Sequence, residues 1–96
     1  MTYIDLQEAI RILGLGDRAT LKEIKTKHRE LVKRYHPDTG FTGEPETIRE
    51  LNAAYRFLLD YVSNFRFSFA EDEFYEQNPE ERIFKQFADD PLWGKK

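Results

Sequence analysis

The stretch from Thr20 to Pro37 constrains this chain more than any other. Thr20-Leu21-Lys22-Glu23 has the form of a capping box: the threonine hydroxyl can accept from the backbone three residues on, and the glutamate can reach back. No glycine or proline follows until Pro37, and the residue before a proline is pushed out of the helical region. A helix from about Leu21 to Tyr35 is predicted. At about 100° per residue, Leu21, Ile24, His28, Leu31, Val32 and Tyr35 fall within one arc. Lys22, Lys25, Arg29 and Lys33 fill the arc beside it. An apolar side bordered by a cationic stripe needs a second helix of similar length to cover it.

That second helix is legible from about Glu46 to Val62, where Ile48, Leu51, Ala54, Tyr55, Leu58, Leu59 and Val62 recur on one side. The connection holds Pro37, Gly40, Gly43 and Pro45, so the two helices should form an antiparallel hairpin. Upstream, Tyr3, Leu6, Ala9, Ile10 and Leu13 predict a helix over about 3–13, with Thr2 and Asp5 at its start and Gly14 at its stop. It should lie across the hairpin. Downstream, Phe65, Phe67 and Phe69 alternate with Arg66 and Ser68, which reads as an extended segment with three rings on one face. Asn78-Pro79-Glu80-Glu81 reads as a helix start, giving a short helix over about 79–88 that carries Ile83, Phe84 and Phe87. The expected fold class is all-α. The expected division is a core over 1–62 and an acidic, aromatic extension over 63–96, packed on the core or binding a partner.

With 96 residues, 40% hydrophobic and 34% charged, the chain suits one small domain with an appendage, not a disordered segment. The net charge of −3 hides a segregation. Thr20 to His36 carries six basic residues against two acidic ones, and Phe65 to Gly94 carries eight acidic against three basic. Eight of the fourteen aromatic residues lie between Phe65 and Trp93. The lack of cysteine excludes a disulfide scaffold, a zinc ribbon, an iron–sulfur site and a thiol nucleophile. The first residues lack a basic start and an apolar run, and no segment is apolar enough to span a bilayer, so a cytoplasmic protein is expected.

Catalytic chemistry finds no support. The glycines form no phosphate-cradling pattern, and neither Gly-x-Ser-x-Gly nor His-Glu-x-x-His is present. The acidic residues near the C-terminus lack metal-ligand spacing. His28, in the middle of an apolar arc, is expected to be a boundary histidine with one hydrogen bond, not a ligand or general base. The chain is expected to use no cofactor and no metal, and not to be an enzyme.

His36-Pro37-Asp38 stands apart by position, at the end of the basic helix where the chain turns. Together with Glu23-Ile24-Lys25, Arg29, Leu31 and Arg34-Tyr35 before it, this segment resembles the J-domain of DnaJ-type co-chaperones. Ile12-Leu13-Gly14-Leu15 is similar to that family's Ile-Leu-Gly-Val segment, and Ile48, Glu50-Leu51-Asn52-Ala53-Ala54-Tyr55 and Leu58 match its third helix. The likeness covers about residues 3–62. It implies docking on a DnaK-type ATPase chaperone and acceleration of its ATP hydrolysis. It carries the required tripeptide over to His36, Pro37 and Asp38, and the family's basic docking residues to Lys25 and Arg29, with Lys22 and Lys33 on the same stripe.

Departures from the family pattern are specific. His28 replaces a tyrosine, Glu30 replaces a basic residue, and the loop between the hairpin helices is slightly short. Tyr61-Val62-Ser63-Asn64-Phe65 stands where a basic fourth-helix motif is expected. The family's glycine/phenylalanine linker, cysteine-rich module and client-binding domain have no counterpart in these residues.

The leading expectation is a short co-chaperone, with Phe65, Phe67, Phe69 and Trp93 as a surface for a second protein. The alternative is a J-like interaction module that no longer stimulates an ATPase and acts through its aromatic tail. Nucleic-acid binding by the basic helix is disfavoured, because Glu23 and Glu30 interrupt it and the acidic tail repels phosphates.

Overall fold

A computed structural model of the chain describes residues 1–35 and 45–89. Five helices follow in order: α1 (Tyr3–Leu13), α2 (Leu21–Tyr35), α3 (Pro45–Ser63), α4 (Glu71–Gln77) and α5 (Pro79–Asp89). Among the described residues there is no strand, so the all-α expectation holds. The chain divides into two compact units, Met1–Phe65 and Arg66–Lys96.

Local chemistry sets the helix ends of the first unit. The Thr2 hydroxyl accepts from the Asp5 amide at 3.1 Å, and the Asp5 carboxylate accepts from the Thr2 amide at 3.3 Å. At the other end Gly14 turns left-handed, with φ 66° and ψ 36°. Its amide donates to the Arg11 carbonyl at 3.1 Å and the Leu15 amide to the Ile10 carbonyl at 3.0 Å, the paired closure that a glycine makes without steric cost. Helix α2 opens on the predicted box: Glu23 N–H to Thr20 Oγ1 at 3.1 Å, and Thr20 N–H to Glu23 Oε1 at 2.7 Å. After Ser63, the Asp60 carbonyl accepts from the amide of Asn64, at 3.1 Å, and from the side chains of Ser63 and Asn64. The Phe65 ring tilts against Tyr61 at 6.0 Å.

The core is small and drawn from three helices. Ala9 and Leu13 of α1, Ile24 of α2, and Leu51, Ala54 and Leu58 of α3 are buried. Leu31, Val32, Tyr35, Ile48, Tyr55, Phe57 and Val62 are among the half-buried residues around them. Helix α3 is the shared wall: it packs on α2 to make the hairpin and on α1, whereas α1 and α2 meet less extensively. Three residues assigned to apolar faces lie outside the core: Tyr3 and Leu21, each in its helix's first turn, and Leu59 of α3, which is half-buried. Tyr3 is 71% exposed and Leu21 42%. Phe57, not assigned to the face of α3, joins the core boundary.

Two features of the second unit were not expected, helix α4 and the direction of the Asn78 side-chain hydrogen bond. Residues 65–69 are neither helix nor paired strand, and α4 follows them. Helix α4 carries no periodic signal, since Phe74 and Tyr75 are its two apolar residues and are adjacent, and Ala70 at its start supplies no side-chain cap. Its stabilising features are electrostatic: Glu71, Asp72 and Glu73 sit in the first turn, where backbone N–H groups favour negative charge. Asn78 precedes Pro79 as expected, but its side-chain amide donates backwards, to the Phe74 carbonyl at 2.9 Å. Asn78 thereby closes α4 at the junction with α5.

Candidate functional site

On α2, the buried Ile24 and half-buried Leu31 and Val32 point into the hairpin, which leaves Lys22, Lys25, Arg29 and Lys33 exposed on the neighbouring side. All four predicted docking residues of the helix therefore share one cationic face. Glu23 lies off this face at helical spacing, and its carboxylate accepts from the Thr20 amide. Glu30 is exposed. Lys27 behaves differently from its basic neighbours. It is half-buried, and its Cε lies 3.5 Å from where a β-carbon on Gly14 would stand. Its methylene stem thus covers the end of α1, where a cation suits the outward carbonyls.

His28 is a cross-hairpin brace. Its Nε2 donates to Asn52 Oδ1 at 2.9 Å, a role the carbonyl oxygen of the acceptor dictates. Its ring stacks on Tyr55 at a centroid distance of 3.9 Å and an interplanar angle of 3°. The expectation of a boundary histidine with one hydrogen bond fits this geometry. Asn52, its partner, was not singled out by sequence reasoning. The available signal was a polar residue immediately beside the apolar face of α3.

Phe65, Phe67 and Phe69 are 52%, 66% and 93% exposed. Three expected site residues, His36, Pro37 and Asp38, lie outside the described residues, in the connection between α2 and α3, and so does Trp93. Among the described residues no cluster of three or more histidine or carboxylate groups could hold a metal ion, and no helix is long and apolar enough to cross a membrane.

On α1, Arg11 pairs with Glu8 through both of its terminal nitrogen types, Nε reaching Oε1 at 3.3 Å. The hydrogen bond from Arg11 holds the Glu8 carboxyl below its ordinary range, and the same bond raises the Arg11 guanidinium. The pair lies on the solvent side of α1.

Comparison with known proteins agrees with this architecture. The chain is 42% identical over 78 residues to a DnaJ-like protein of Mycoplasma pneumoniae, which covers 75% of the chain and 23% of that protein. It is 31% identical over 74 residues to the chaperone protein DnaJ of Finegoldia magna, covering 75% of the chain and 20% of that protein. The chaperone protein DnaJ of Hydrogenobacter thermophilus is 39% identical over 56 residues, 57% of this chain and 16% of its own length. The chain thus spans less than a quarter of the length of these curated relatives. No solved structure matches it. The family model of the DnaJ domain matches residues 9–64, from the middle of α1 to the end of the hairpin, and with more than half of its length so matched the chain belongs to the DnaJ domain family.

Proposed function

We propose that this protein is a co-chaperone that docks on a DnaK-type ATPase chaperone through the cationic face of α2 and stimulates its ATP hydrolysis through His36, Pro37 and Asp38. The observation that carries this reading is the exposed row of Lys22, Lys25, Arg29 and Lys33 on a hairpin of the DnaJ domain family. Their charge steers an acidic partner surface into register and fixes its orientation. The tripeptide acts by favouring the hydrolysis-competent conformation of the chaperone, to which the module must bind better than to its competitor. The chain donates no catalytic group of its own. His28 and Glu30 alter the neighbourhood of the docking face and tune the choice of chaperone. Residues 63–96 form a separate functional segment, a surface for a second protein that includes Phe65, Phe67, Phe69 and Trp93. Its support is the high exposure of Phe69.

Steady-state ATP turnover by a DnaK-type chaperone, with and without this protein, tests the proposal. Stimulation should be lost in His36→Gln and weakened by Lys25→Glu and Arg29→Glu, with the charge reversals also reducing its salt dependence. Equal stimulation by His36→Gln, or none by the unaltered chain, overturns it. If partner capture survives His36→Gln and fails after removal of residues 65–96, the chain is an interaction module without ATPase stimulation.

A further inference from the structure

The α4–α5 unit is built inside out. At helical spacing, Arg82, Lys85 and Gln86 share one side of α5, and Ile83 and Phe84 lie on the other. The polar side faces α4. The Lys85 ammonium meets the Glu71 carboxylate at 2.8 Å and sits 5.3 Å from the centre of the Tyr75 ring, and Arg82 approaches Glu76 at 4.0 Å. The apolar side is turned outward, leaving Ile83 50% and Phe84 64% exposed, with Phe74 of α4 also 50% exposed. A hairpin stabilising itself would place these side chains between its helices, as α2 and α3 do.

Charge around the outward stripe selects its occupant. Glu80 falls within the apolar arc and Glu81 at its border, and both are exposed. Residues 66–89 carry seven carboxylates against three cations, of which Lys85 and Arg82 are already engaged with Glu71 and Glu76. Two copies of this surface repel one another, and anionic lipid is repelled likewise. A cationic helix with an apolar side satisfies both features, its side chains covering Ile83 and Phe84 while its lysines or arginines meet Glu80 and Glu81.

We infer that the outward face of α5, centred on Ile83, Phe84, Glu80 and Glu81, is a docking site for a basic amphipathic helix of a second protein. This rests on reading residues 63–96 as a partner-binding segment, and it places that surface on α5 and assigns its partner's chemistry.

The test uses the full chain and a fluorescently labelled amphipathic helical peptide of leucine and lysine, with a leucine–glutamate peptide and a lysine-only peptide as controls. Anisotropy should report binding of the leucine–lysine peptide. Ile83→Ser with Phe84→Ser should weaken that binding by at least about tenfold, as should Glu80→Lys with Glu81→Lys. Both variants should retain the helical circular dichroism of the unaltered chain and its stimulation of a DnaK-type ATPase. Lys25→Glu with Arg29→Glu should impair the ATPase assay and leave peptide binding intact. The inference is overturned by equal binding of the leucine–glutamate or lysine-only peptide, by binding indifferent to the α5 substitutions, or by no binding at all. Salt-sensitive self-association, or capture by phospholipid vesicles in preference to the peptide, also overturns it by naming another occupant. Failure in the peptide assay with ATPase stimulation intact leaves the co-chaperone reading standing, and the reverse outcome leaves the α5 site standing. Loss of partner capture on deleting residues 65–96, with the α5 substitutions silent, retains the tail as a binding segment and removes α5 from it.

Discussion

Replacing His28 with alanine removes two interactions across the α2–α3 hairpin. The hydrogen bond to Asn52, at 2.9 Å and half-buried, contributes about 0.5–1.5 kcal/mol net. The stack on Tyr55, with centroids 3.9 Å apart, adds about 0.5–1.5 kcal/mol beyond the area it covers. The expected loss is therefore about 1–3 kcal/mol, from a unit of this size whose total stability is roughly 3–10 kcal/mol. Urea unfolding followed by far-ultraviolet circular dichroism measures it, and the midpoint should fall while the slope stays constant. A double-mutant cycle separates the parts: His28→Ala with Asn52→Ala should show a coupling of about 1 kcal/mol, and His28→Ala with Tyr55→Leu a similar one. Additivity within about 0.3 kcal/mol in both cycles refutes the brace, whatever the cost of the single substitutions. His28 would then be a bystander on α2.

Leu13, fully buried, should cost about 2–5 kcal/mol when cut to alanine, whereas Leu21→Ala, at the exposed first turn of α2, should cost less than about 1 kcal/mol in the same denaturation assay. Gly14→Ala should destabilise by about 1 kcal/mol through the left-handed backbone alone, because the added β-carbon meets only ordinary contact with Lys27 at 3.5 Å; a neutral effect by urea titration contradicts the αL closure of α1. The pH dependence follows from Glu8, whose folded carboxyl lies below its ordinary value of 4.5 because Arg11 hydrogen-bonds to it. Its contribution is complete above about 4.5 and is lost as pH falls through the lowered value, and solvent screening keeps it small. Glu8→Gln should flatten only that acid limb of the stability–pH curve, and carbon-detected NMR titration of Glu8 checks the direction.

Two of the helices read in advance carry two independent signals each, and α3 was read from its apolar period alone. Helix α1 has a cap at Thr2 and a stop at Gly14 besides its period, and α2 has the Thr20–Glu23 box besides its apolar arc. Periodicity overstated burial at the first turns, Tyr3 and Leu21, and at Leu59, which is half-buried outside the core cluster. Helix α4 escaped notice because its ordering interactions are acidic residues at a helix start and an ion pair with Lys85, fourteen residues later than Glu71. Neither leaves a periodic trace. The cationic face was legible because position on a helix and charge are both sequence properties. The His28–Asn52 brace was not, since the register between α2 and α3 decides which side chains meet.

Residues 66–70 join the units without helix and lie exposed, with Arg66 and Phe69 available to trypsin-like and chymotrypsin-like proteases. Among the described residues, every buried core residue precedes that joint. A nick there would leave α1, the α2–α3 hairpin and its lysine-rich side on a single fragment, which carries the whole of that core cluster and so the means to hold those three helices together.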